Sequence, residues 1–397
     1  MKSQKNIFNT LYALIATGGP GGTRFVVFTL FVYLFDSSFF DFFLKDVFLV
    51  LSLNVVFCQS YTIFYYKKEY REKLYTLLSL SAVSLFLSLI VLMGIQLQNQ
   101  QLSYAWVLLI ALHFYFFLRI YLLANSLFKE CAELEFLSFI FFASSVLCVS
   151  HYNLDSSFLI FSYACSLLMS GGVILAKKRR RTNEEINFWD GQLFIKACNF
   201  SVSNFSGSAI LFLIPQLLAM LELNQFISVV SLSLTVALVI YLIPRTFATK
   251  VLPKITISSF KEIQGVNRQY NMIVLLSSLV MFLGLLIYNY MVIGELNNDV
   301  ILLLLLLSLF MSVNQFNSVY SHAIVIYGDE AQLRNIHIKS VIILTLLLGV
   351  TFFLSSKLSP LVLVAVLFLS LSLSFFIRGI LFYKSFTELE LCKKKPN

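Results

Sequence analysis

Apolar runs long enough to cross a lipid bilayer recur along the whole chain, and this repetition limits the possible folds more than any other feature. A membrane-spanning helix needs about 20 mainly apolar residues. In lipid, only a helix satisfies all of its backbone hydrogen bonds within one segment. Charged residues make up only 12 % of the sequence, compared with about 25 % in soluble proteins. The sequence therefore predicts an all-α polytopic membrane protein.

Twelve spans fit the apolar runs, and the outer loops between them are short. Such loops cannot form a separate domain with an active site, so we expect the function to lie within the bilayer. The predicted spans cover approximately residues 7–35, 46–66, 74–95, 104–128, 136–150, 158–176, 193–220, 226–250, 272–293, 300–327, 340–357 and 361–383.

Lysine and arginine are unevenly distributed between the two sets of loops. With a cytoplasmic N-terminus, the great majority of the 29 Lys and Arg residues fall in cytoplasmic segments, and the opposite loops contain only Lys45 and Lys357. Because basic loops stay on the cytoplasmic side, both termini are predicted to be cytoplasmic. The net charge of +9 is then a topology signal that also contacts anionic membrane lipids. No nucleic-acid partner is predicted.

A basic segment, KKRRRTNEEINFWDG at residues 177–191, separates six spans from six spans. We predict an N-lobe (1–181, helices 1–6) and a C-lobe (182–397, helices 7–12) around a central cavity. The first span of each half is polar and weakened, by GGPGG at 18–22 and by the serines and asparagines of 194–218. Interrupted helices at corresponding positions of two halves are typical of transporter binding sites.

The glycine-rich stretch of span one predicts a hinge, because proline removes a backbone hydrogen bond and glycine adds freedom. Arg24 follows this stretch, about 25 Å along the span at 1.5 Å per residue. We interpret Arg24 as a cavity-facing anion contact, with bonding to a neighbouring carbonyl as the alternative. The predicted hinge consists of Gly18, Gly19, Pro20, Gly21 and Gly22.

Other polar residues within the spans are candidates for a substrate site. For Arg119 and Lys196, facing a cavity and reaching toward the cytoplasm are both open, whereas reaching toward the cytoplasm is favoured for Arg378. In span ten, Asn314, Ser318 and Ser321 share one face of a helix at i, i+4 and i+7. That face is either a hydrophilic wall or a surface for interhelical hydrogen bonds. The remaining candidates are Asn204, Gln315 and His322.

Acidic residues are missing from the central part of every predicted span. Exporters of cations and drugs generally need a buried carboxylate, so the buried charge is expected to be purely positive and the substrate anionic. Guanidinium groups pair well with phosphate oxygens. No nucleophile elbow, phosphate-binding glycine loop or zinc motif occurs, so we predict no catalytic residue, no metal, no cofactor and no enzymatic activity.

Two six-span halves, an arginine-bearing first span and the segment IPRTFATKVLPKI at 243–255 resemble the polysaccharide flippases of the multidrug/oligosaccharidyl-lipid/polysaccharide (MOP) exporter superfamily, in particular the Wzx-type O-antigen flippases. The resemblance implies two six-helix lobes and alternating access in a bacterial cytoplasmic membrane. It also implies an undecaprenyl-diphosphate-linked oligosaccharide as substrate, for lipopolysaccharide biosynthesis. Arg24, with Arg119 and Lys196, would receive the diphosphate.

The same resemblance suggests a polymerase and a chain-length regulator of polysaccharide assembly as partners. Two other functions stay open on the sequence alone. A small-molecule or multidrug exporter of the same superfamily would share the fold but is expected to contain a buried acid. A membrane glycan polymerase would need a larger outer loop with paired catalytic residues.

Overall fold

The computed structural model describes residues 22–31, 33–35, 37–58, 74–98, 103–125, 127–177, 190–241, 259–294, 296–327 and 330–394, together with residues 12, 15, 16, 19, 243, 244 and 247. Helix is the only regular secondary structure in these ranges. The predicted all-α fold is therefore confirmed.

The first half of the chain contributes six helical segments. Helix α1 covers Gly22–Phe31, and α2 covers Ser37–Leu53 and continues into a π-helical turn at Asn54–Cys58. The following helices are α3 (Leu74–Gln98), α4 (Ala105–Ala124), α5 (Phe128–His151) and α6 (Ser156–Lys177).

The second half contributes six more. Helix α7 consists of α7a (Gly191–Asn204) and α7b (Ile210–Met220), joined by a π-helical turn at Phe205–Ala209. Helix α8 (Ile227–Ile240) follows a 3₁₀ turn at Asn224–Phe226. The remaining helices are α9 (Phe260–Ile293), the two-part α10a (Asn298–Gln315) and α10b (Ser318–Tyr327), α11 (Glu330–Leu354) and α12 (Pro360–Lys394).

Nine of the described helices are long and apolar enough to cross a membrane, namely α3 to α7 and α9 to α12. Their outer surfaces are apolar as well. On α9, the side chains of Leu276, Leu279, Leu283 and Ile287 are each more than half exposed. A continuous apolar surface of this kind is unfavourable in water but not in lipid. The chain is a polytopic membrane protein.

Four helices, α2, α5, α9 and α11, begin eight or more residues earlier than the sequence predicted. Helix α9 starts at Phe260 instead of residue 272, and α11 starts at Glu330 instead of residue 340. Helix α2 starts at Ser37 instead of residue 46, and α5 starts at Phe128 instead of residue 136. Hydropathy marks only the apolar part of a helix, whereas the backbone hydrogen bonds continue into the polar residues beside it. In α5 the extension adds about two turns, and it brings Glu135 inside the helix.

The chain forms two compact units, Met1–Gln216 and Leu217–Asn397. The predicted lobes, 1–181 and 182–397, stay a prediction. In the first unit, aromatic rings from α1, α2, α5 and α6 fill the core. The ring centres of Phe31 and Phe43 are 5.0 Å apart, and Phe142 stacks on Tyr163 at 4.2 Å. These contacts hold α1 against α5 and α6. The part of α1 that makes them follows Arg24 in the sequence.

The core of the second unit is built from α9, α10b, α11 and α12. Tyr320 of α10b stacks on Phe386 of α12 with ring centres 4.6 Å apart. Helix α9 begins with a capping box, in which Ser259 and Glu262 bond each other's backbone N–H groups, and it ends at Gly294 with a left-handed φ of 76°. Both ends follow the sequence preferences for helix termini.

Helix α10 is interrupted near its middle, which the sequence analysis did not predict. Phe316 is extended, with ψ of 130°, and Asn317 has a positive φ of 61°. A new helix then starts at Ser318. The single hydrophilic face predicted for Asn314, Ser318 and Ser321 is therefore wrong, because these residues do not belong to one continuous helix.

The interruption is stabilised by hydrogen bonds to Asn317. Its Oδ1 accepts from Nδ2 of Asn267 at 2.8 Å and from Nδ2 of Asn271 at 2.9 Å. Its Nδ2 donates to the carbonyl oxygen of Gly379 at 3.1 Å, and its backbone N–H donates to Oδ1 of Asn271 at 3.1 Å. Asparagine tolerates a left-handed backbone better than most residues. Three helices thus meet at one asparagine.

Arg378 of α12 closes the end of α10a. Its Nη2 donates to both the carbonyl oxygen and Oδ1 of Asn314, each at 2.7 Å, and its guanidinium carbon is 4.4 Å from the centre of the Phe375 ring. A cation at a helix C-terminus is favourable. Arg378 is only 5 % exposed, so the expectation that it reaches toward the cytoplasm is wrong.

We expect Asn317→Ala to lower the free energy of unfolding by ~2 kcal/mol or more, because it loses the side-chain hydrogen bonds and keeps the strained φ. Asn317→Gly loses the same bonds but relieves the strain, so it should cost less. Thermal unfolding of the detergent-solubilised protein measures both. As a control, Asn153→Ala changes an exposed turn residue with φ of 50°. An Asn317→Ala variant no less stable than Asn153→Ala would contradict this role.

Candidate functional site

Arg24 lies on α1, and its side chain is half-buried. Its guanidinium carbon is 6.0 Å from the centre of the Phe212 ring on α7b, at the limit of a cation–π contact. Arg24 also lines a cavity inside the first unit. Its predicted role as an anion contact in a cavity between the two lobes stays a prediction.

The cavity lies among α1, α2, α4, α5 and α6. Its volume is about 10 Å³, which is about the space that one buried water needs. A larger ligand can enter only if these helices separate. The lining residues are Thr23, Arg24, Leu51, Leu112, Tyr115, Phe116, Glu135, Ser138, Tyr163 and Leu167.

A buried ion pair joins α4 to α5 at this cavity. The Nε of Arg119 donates to Oε1 of Glu135 at 2.9 Å, and the two side chains are 12 % and 3 % exposed. A buried charge of this kind is stable only when it is paired and hydrogen-bonded. The sequence left open whether Arg119 faces a cavity or reaches toward the cytoplasm. In the structure its side chain points into the first unit, toward Glu135.

A second bond of Arg119 explains part of the GGPGG stretch. Its Nη2 donates to the carbonyl oxygen of Ala16 at 2.7 Å. In a helix this carbonyl would accept the N–H of residue 20, but Pro20 has no N–H to donate. The proline therefore leaves an acceptor in span one, and the arginine of α4 occupies it.

Glu135 contradicts the expectation that the buried charge is purely positive. It is 2 % exposed and lies about two turns inside α5. The predicted span began one residue later, at position 136, so this carboxylate was taken for a loop residue. The argument against cation exporters that rested on a missing buried acid is therefore lost.

Gly19 packs directly against this carboxylate. A Cβ atom at position 19 would lie 2.6 Å from Cγ of Glu135 and 2.8 Å from its Oε2. Only glycine allows so close an approach. Gly19 and Gly22 are both helical, and the other three residues of the predicted hinge, Gly18, Pro20 and Gly21, lie outside the described residues. The hinge itself stays a prediction.

Two guanidinium groups lie close to one carboxylate in the described part of this site. Arg24 and Glu135 both line the cavity, and Arg119 is bonded to Glu135. The side chains of Tyr115 and Tyr163 complete the polar part of the wall.

Lys196 and Asn204, both on α7a, are half-buried. Asn204 Nδ2 donates to the carbonyl oxygen of Val55 at 3.3 Å, so the π-helical turns at Asn54–Cys58 and Phe205–Ala209 contact each other. Asn54 is fully buried, and neither polar atom of its side chain bonds a described residue. Lys196 is not among the residues that line the cavity of Arg24.

The span-ten candidates lie in the second unit. Asn314 accepts from Arg378, and Gln315 Oε1 accepts from the hydroxyl of Tyr270 at 3.0 Å. Ser318 starts α10b, and its carbonyl oxygen accepts from Ser321. His322 is half-buried. For Asn314 and Gln315 the alternative of interhelical hydrogen bonds is thus realised; any contact of the four with substrate stays a prediction.

Sequence reasoning missed Glu135, although the sequence contains a signal for it. Cys131, Glu135, Ser138, Phe142 and Val146 follow each other at spacings of three or four and are all buried. A glutamate on the apolar face of a helix is a candidate for burial with a partner. Within the described residues, no group of three His, Cys, Asp or Glu side chains could hold a metal ion.

Comparison with known proteins places the fold. No protein-family model matches the sequence, and no curated protein matches it. Several solved structures are similar to the structure of this chain. The eukaryotic MATE transporter AtDTX14 has a TM-score of 0.59 at 15 % identity, over 98 % of this chain and 99 % of that one. The lipid II flippase MurJ, in an inward closed conformation, has a TM-score of 0.56 at 13 % identity, over 97 % of this chain and 90 % of that one.

A third similar structure is a MOP superfamily transporter from Pyrococcus furiosus, with a TM-score of 0.55 at 14 % identity over 98 % of this chain and 96 % of that one. It is described as having a binding pocket of reverse polarity that suggests a different function. At such identities the likeness concerns the fold alone. The chain shares its fold with these transporter and flippase structures.

We expect Gly19→Ala to destabilise the protein by about 1–3 kcal/mol, because the added methyl group overlaps a buried and bonded side chain. Gly22→Ala is the matched control, since a Cβ there meets no atom within 4 Å. Thermal unfolding in detergent measures the difference. Adding Glu135→Ala should remove most of the cost of Gly19→Ala. Equal stability of the two alanine variants would show that the close packing is absent.

Proposed function

We propose that this protein is a flippase that moves a lipid-linked oligosaccharide across the bacterial cytoplasmic membrane by alternating access. The substrate would be an undecaprenyl-diphosphate-linked repeat unit of O-antigen or a similar polysaccharide. Both termini would be cytoplasmic, and the polymerase and chain-length regulator of the same pathway are the expected partners. No covalent bond changes in this reaction, so the protein is not proposed to be an enzyme.

The position of a guanidinium group, that of Arg24, at an internal cavity is the observation that carries this proposal. A second guanidinium group, that of Arg119, lies on α4 and is bonded to Glu135 and to the carbonyl oxygen of Ala16. Arg24 is half-buried and lies at the same cavity. A guanidinium group forms paired, charge-assisted hydrogen bonds with phosphate oxygens. The structure therefore favours a substrate that brings phosphate into an otherwise apolar region.

An amphipathic substrate also fits the surroundings of this charge. The walls beside Arg24 are apolar and aromatic, with Leu51, Phe116 and Phe212 in contact with the same space or with Arg24 itself. A polyprenyl chain can remain in the bilayer while its diphosphate engages Arg24. The similarity in fold to a lipid II flippase agrees with a lipid as the substrate.

A cation or drug exporter is the second candidate, and Glu135 is the observation that favours it. MATE transporters share the fold, and a buried carboxylate is the group that such exporters need. In this protein, however, the carboxylate is paired with Arg119 at 2.9 Å, and a second guanidinium group, that of Arg24, lines the same cavity. A pocket of reverse polarity is also attributed to another transporter with this fold. We therefore favour the anionic substrate.

Arg24→Ala is expected to reduce flipping at least about tenfold, which corresponds to the loss of one charge-assisted contact of 1.4 kcal/mol or more. Arg24→Lys should keep part of the activity, because it preserves the charge but not the paired geometry. The measurement is the initial rate at which proteoliposomes flip a fluorescent undecaprenyl-diphosphate-linked oligosaccharide. Lys357→Ala, which removes an exposed cation of the second unit, is the control for reconstitution.

An unchanged rate in Arg24→Ala, at equal protein in the vesicles, would refute the assignment of Arg24. The same vesicles also test the alternative function. Uptake of the cationic dye ethidium that is lost in Glu135→Gln but kept in Arg24→Ala would identify a cation exporter. We expect no ethidium transport by the wild-type protein.

A further inference from the structure

Asn54 of α2 is a fully buried polar side chain that bonds to no described residue. Its exposed fraction is 0 %, and neither Oδ1 nor Nδ2 has a hydrogen-bond partner in the described part of the chain. Asn289 of α9 is equally buried, but its Nδ2 donates to the carbonyl oxygen of Leu285 at 2.8 Å. A buried amide without a partner lowers stability. An amide that is kept at such a cost is a candidate for a functional group.

Asn54 begins a π-helical turn at which several helices of the first unit meet. This turn, Asn54–Cys58, contacts α3, α4, α7a and the second π-helical turn, Phe205–Ala209. Isolated π-helical turns within α-helices are frequent at functional sites. Both described π-helical turns thus meet at one place, and the unbonded amide of Asn54 lies there.

A second asparagine, Asn204 of α7a, bonds to the first π-helical turn. Its Nδ2 donates to the carbonyl oxygen of Val55 at 3.3 Å, which is long for such a bond. The two turns, NVVFC and FSGSA, contain no charged residue, and four of the five residues in the second turn are small. The contact between α2 and α7 therefore has two amides, neutral walls and room for a ligand group once the helices separate.

This contact lies about one helical turn from the cavity of the first unit. Leu51, which lines the cavity, precedes Asn54 by three residues, about 4.5 Å along α2. On α7b, Phe212 follows the second π-helical turn by three residues, and its ring lies beside Arg24. When α2 and α7 separate, a molecule in the enlarged cavity can reach Asn54 with a neighbouring group.

The amide of asparagine selects the chemical class of that group. Its Oδ1 needs a donor, and its Nδ2 needs an acceptor. An ionised phosphate group offers only acceptors, an ammonium group offers only donors, and a hydrocarbon chain offers neither. A hydroxyl or a secondary amide group offers both, and adjacent hydroxyls on a sugar ring offer them in a fixed arrangement. The unbonded amide of Asn54 therefore fits a sugar.

We propose that Asn54 recognises a sugar of the transported molecule, through hydrogen bonds to both polar atoms of its side chain, when α2 and α7 separate at the two π-helical turns. This inference rests on the proposed function and names the residue that selects the glycan part of the substrate. Asn204, released from Val55 by the same movement, supplies a second amide to the sugar. No covalent bond changes in this step.

Replacement by leucine tests whether the amide of Asn54 is bonded within the protein. Asn54→Leu exchanges the amide for an apolar side chain of similar size, so its unfolding temperature in detergent should equal or exceed that of the wild type. Asn289→Leu is the matched control, because it removes the bonds to Leu285 and Ser233, and it should unfold at a lower temperature. An equal loss in both variants would show that Asn54 is a structural residue, with a bound water or another partner, and would overturn the proposal.

Equilibrium binding to the full chain in phosphatidylcholine nanodiscs tests the preference for sugar. The ligands are undecaprenyl diphosphate with and without a linked N-acetylglucosamine. The sugar should tighten binding to the wild type, and Asn54→Leu should reduce that preference about tenfold, as the loss of two neutral hydrogen bonds predicts. Binding of the sugar-free lipid should stay within about twofold. Asn54→Ser, which keeps a shorter donor and acceptor, should lie between the two.

A neutral glycolipid, monogalactosyldiacylglycerol, separates failure of this proposal from failure of the proposed function. Binding of both undecaprenyl lipids with no sugar preference, or with a preference that Asn54→Leu leaves unchanged, would overturn the role of Asn54 alone. Equal weakening of both lipids by Asn54→Leu would also overturn it, because Asn54 would then stabilise a conformation instead of contacting the sugar. Binding of the galactolipid that depends on Asn54, without binding of either diphosphate, would overturn the proposed function and keep the role of Asn54. No binding of any of the three lipids would overturn both.

Discussion

A charge that lies among apolar helices must find its partner inside the protein, and the first unit is organised around this requirement. Arg119 meets it with two bonds, to Glu135 on α5 and to the carbonyl oxygen of Ala16 in span one. These bonds bring three chain segments to one point. Aromatic contacts among Phe31, Phe43 and Phe142 pack α1 and α2 against α5, the helix that carries Glu135. The polar contacts are thus supported by apolar packing between the same helices.

Much of the fold could be predicted from hydropathy, because the need to satisfy backbone hydrogen bonds in lipid leaves few alternatives to helices. Hydropathy alone did not predict where several helices begin. Glu135 was assigned to a loop since the apolar run begins after it, although α5 continues through it. The interruption at Asn317 was equally invisible, because its left-handed backbone depends on Asn267 and Asn271, which are distant in sequence. Arg24 was found because a charge in an apolar run is conspicuous.

The two polar centres of the protein are built on different principles. The centre in the first unit has charges of both signs and a small cavity. The centre in the second unit uses neutral amides around Asn317 and a cation, Arg378, bonded to a helix end. Amide networks fix one geometry, whereas paired charges respond to an additional ion. This difference is why the proposed chemistry is assigned to the first unit.

The hydrogen bond between Arg119 and the Ala16 carbonyl makes position 119 depend on position 20, about a hundred residues earlier. Pro20 leaves the carbonyl without its helical donor, and the arginine about a hundred residues later supplies the replacement. With a residue other than proline at position 20, the backbone N–H of that residue would donate to the Ala16 carbonyl. The guanidinium group of Arg119 would then lose this acceptor. A chain without the arginine would leave the carbonyl unsatisfied. Positions 20 and 119 should therefore co-vary during evolution, even though their side chains need not touch.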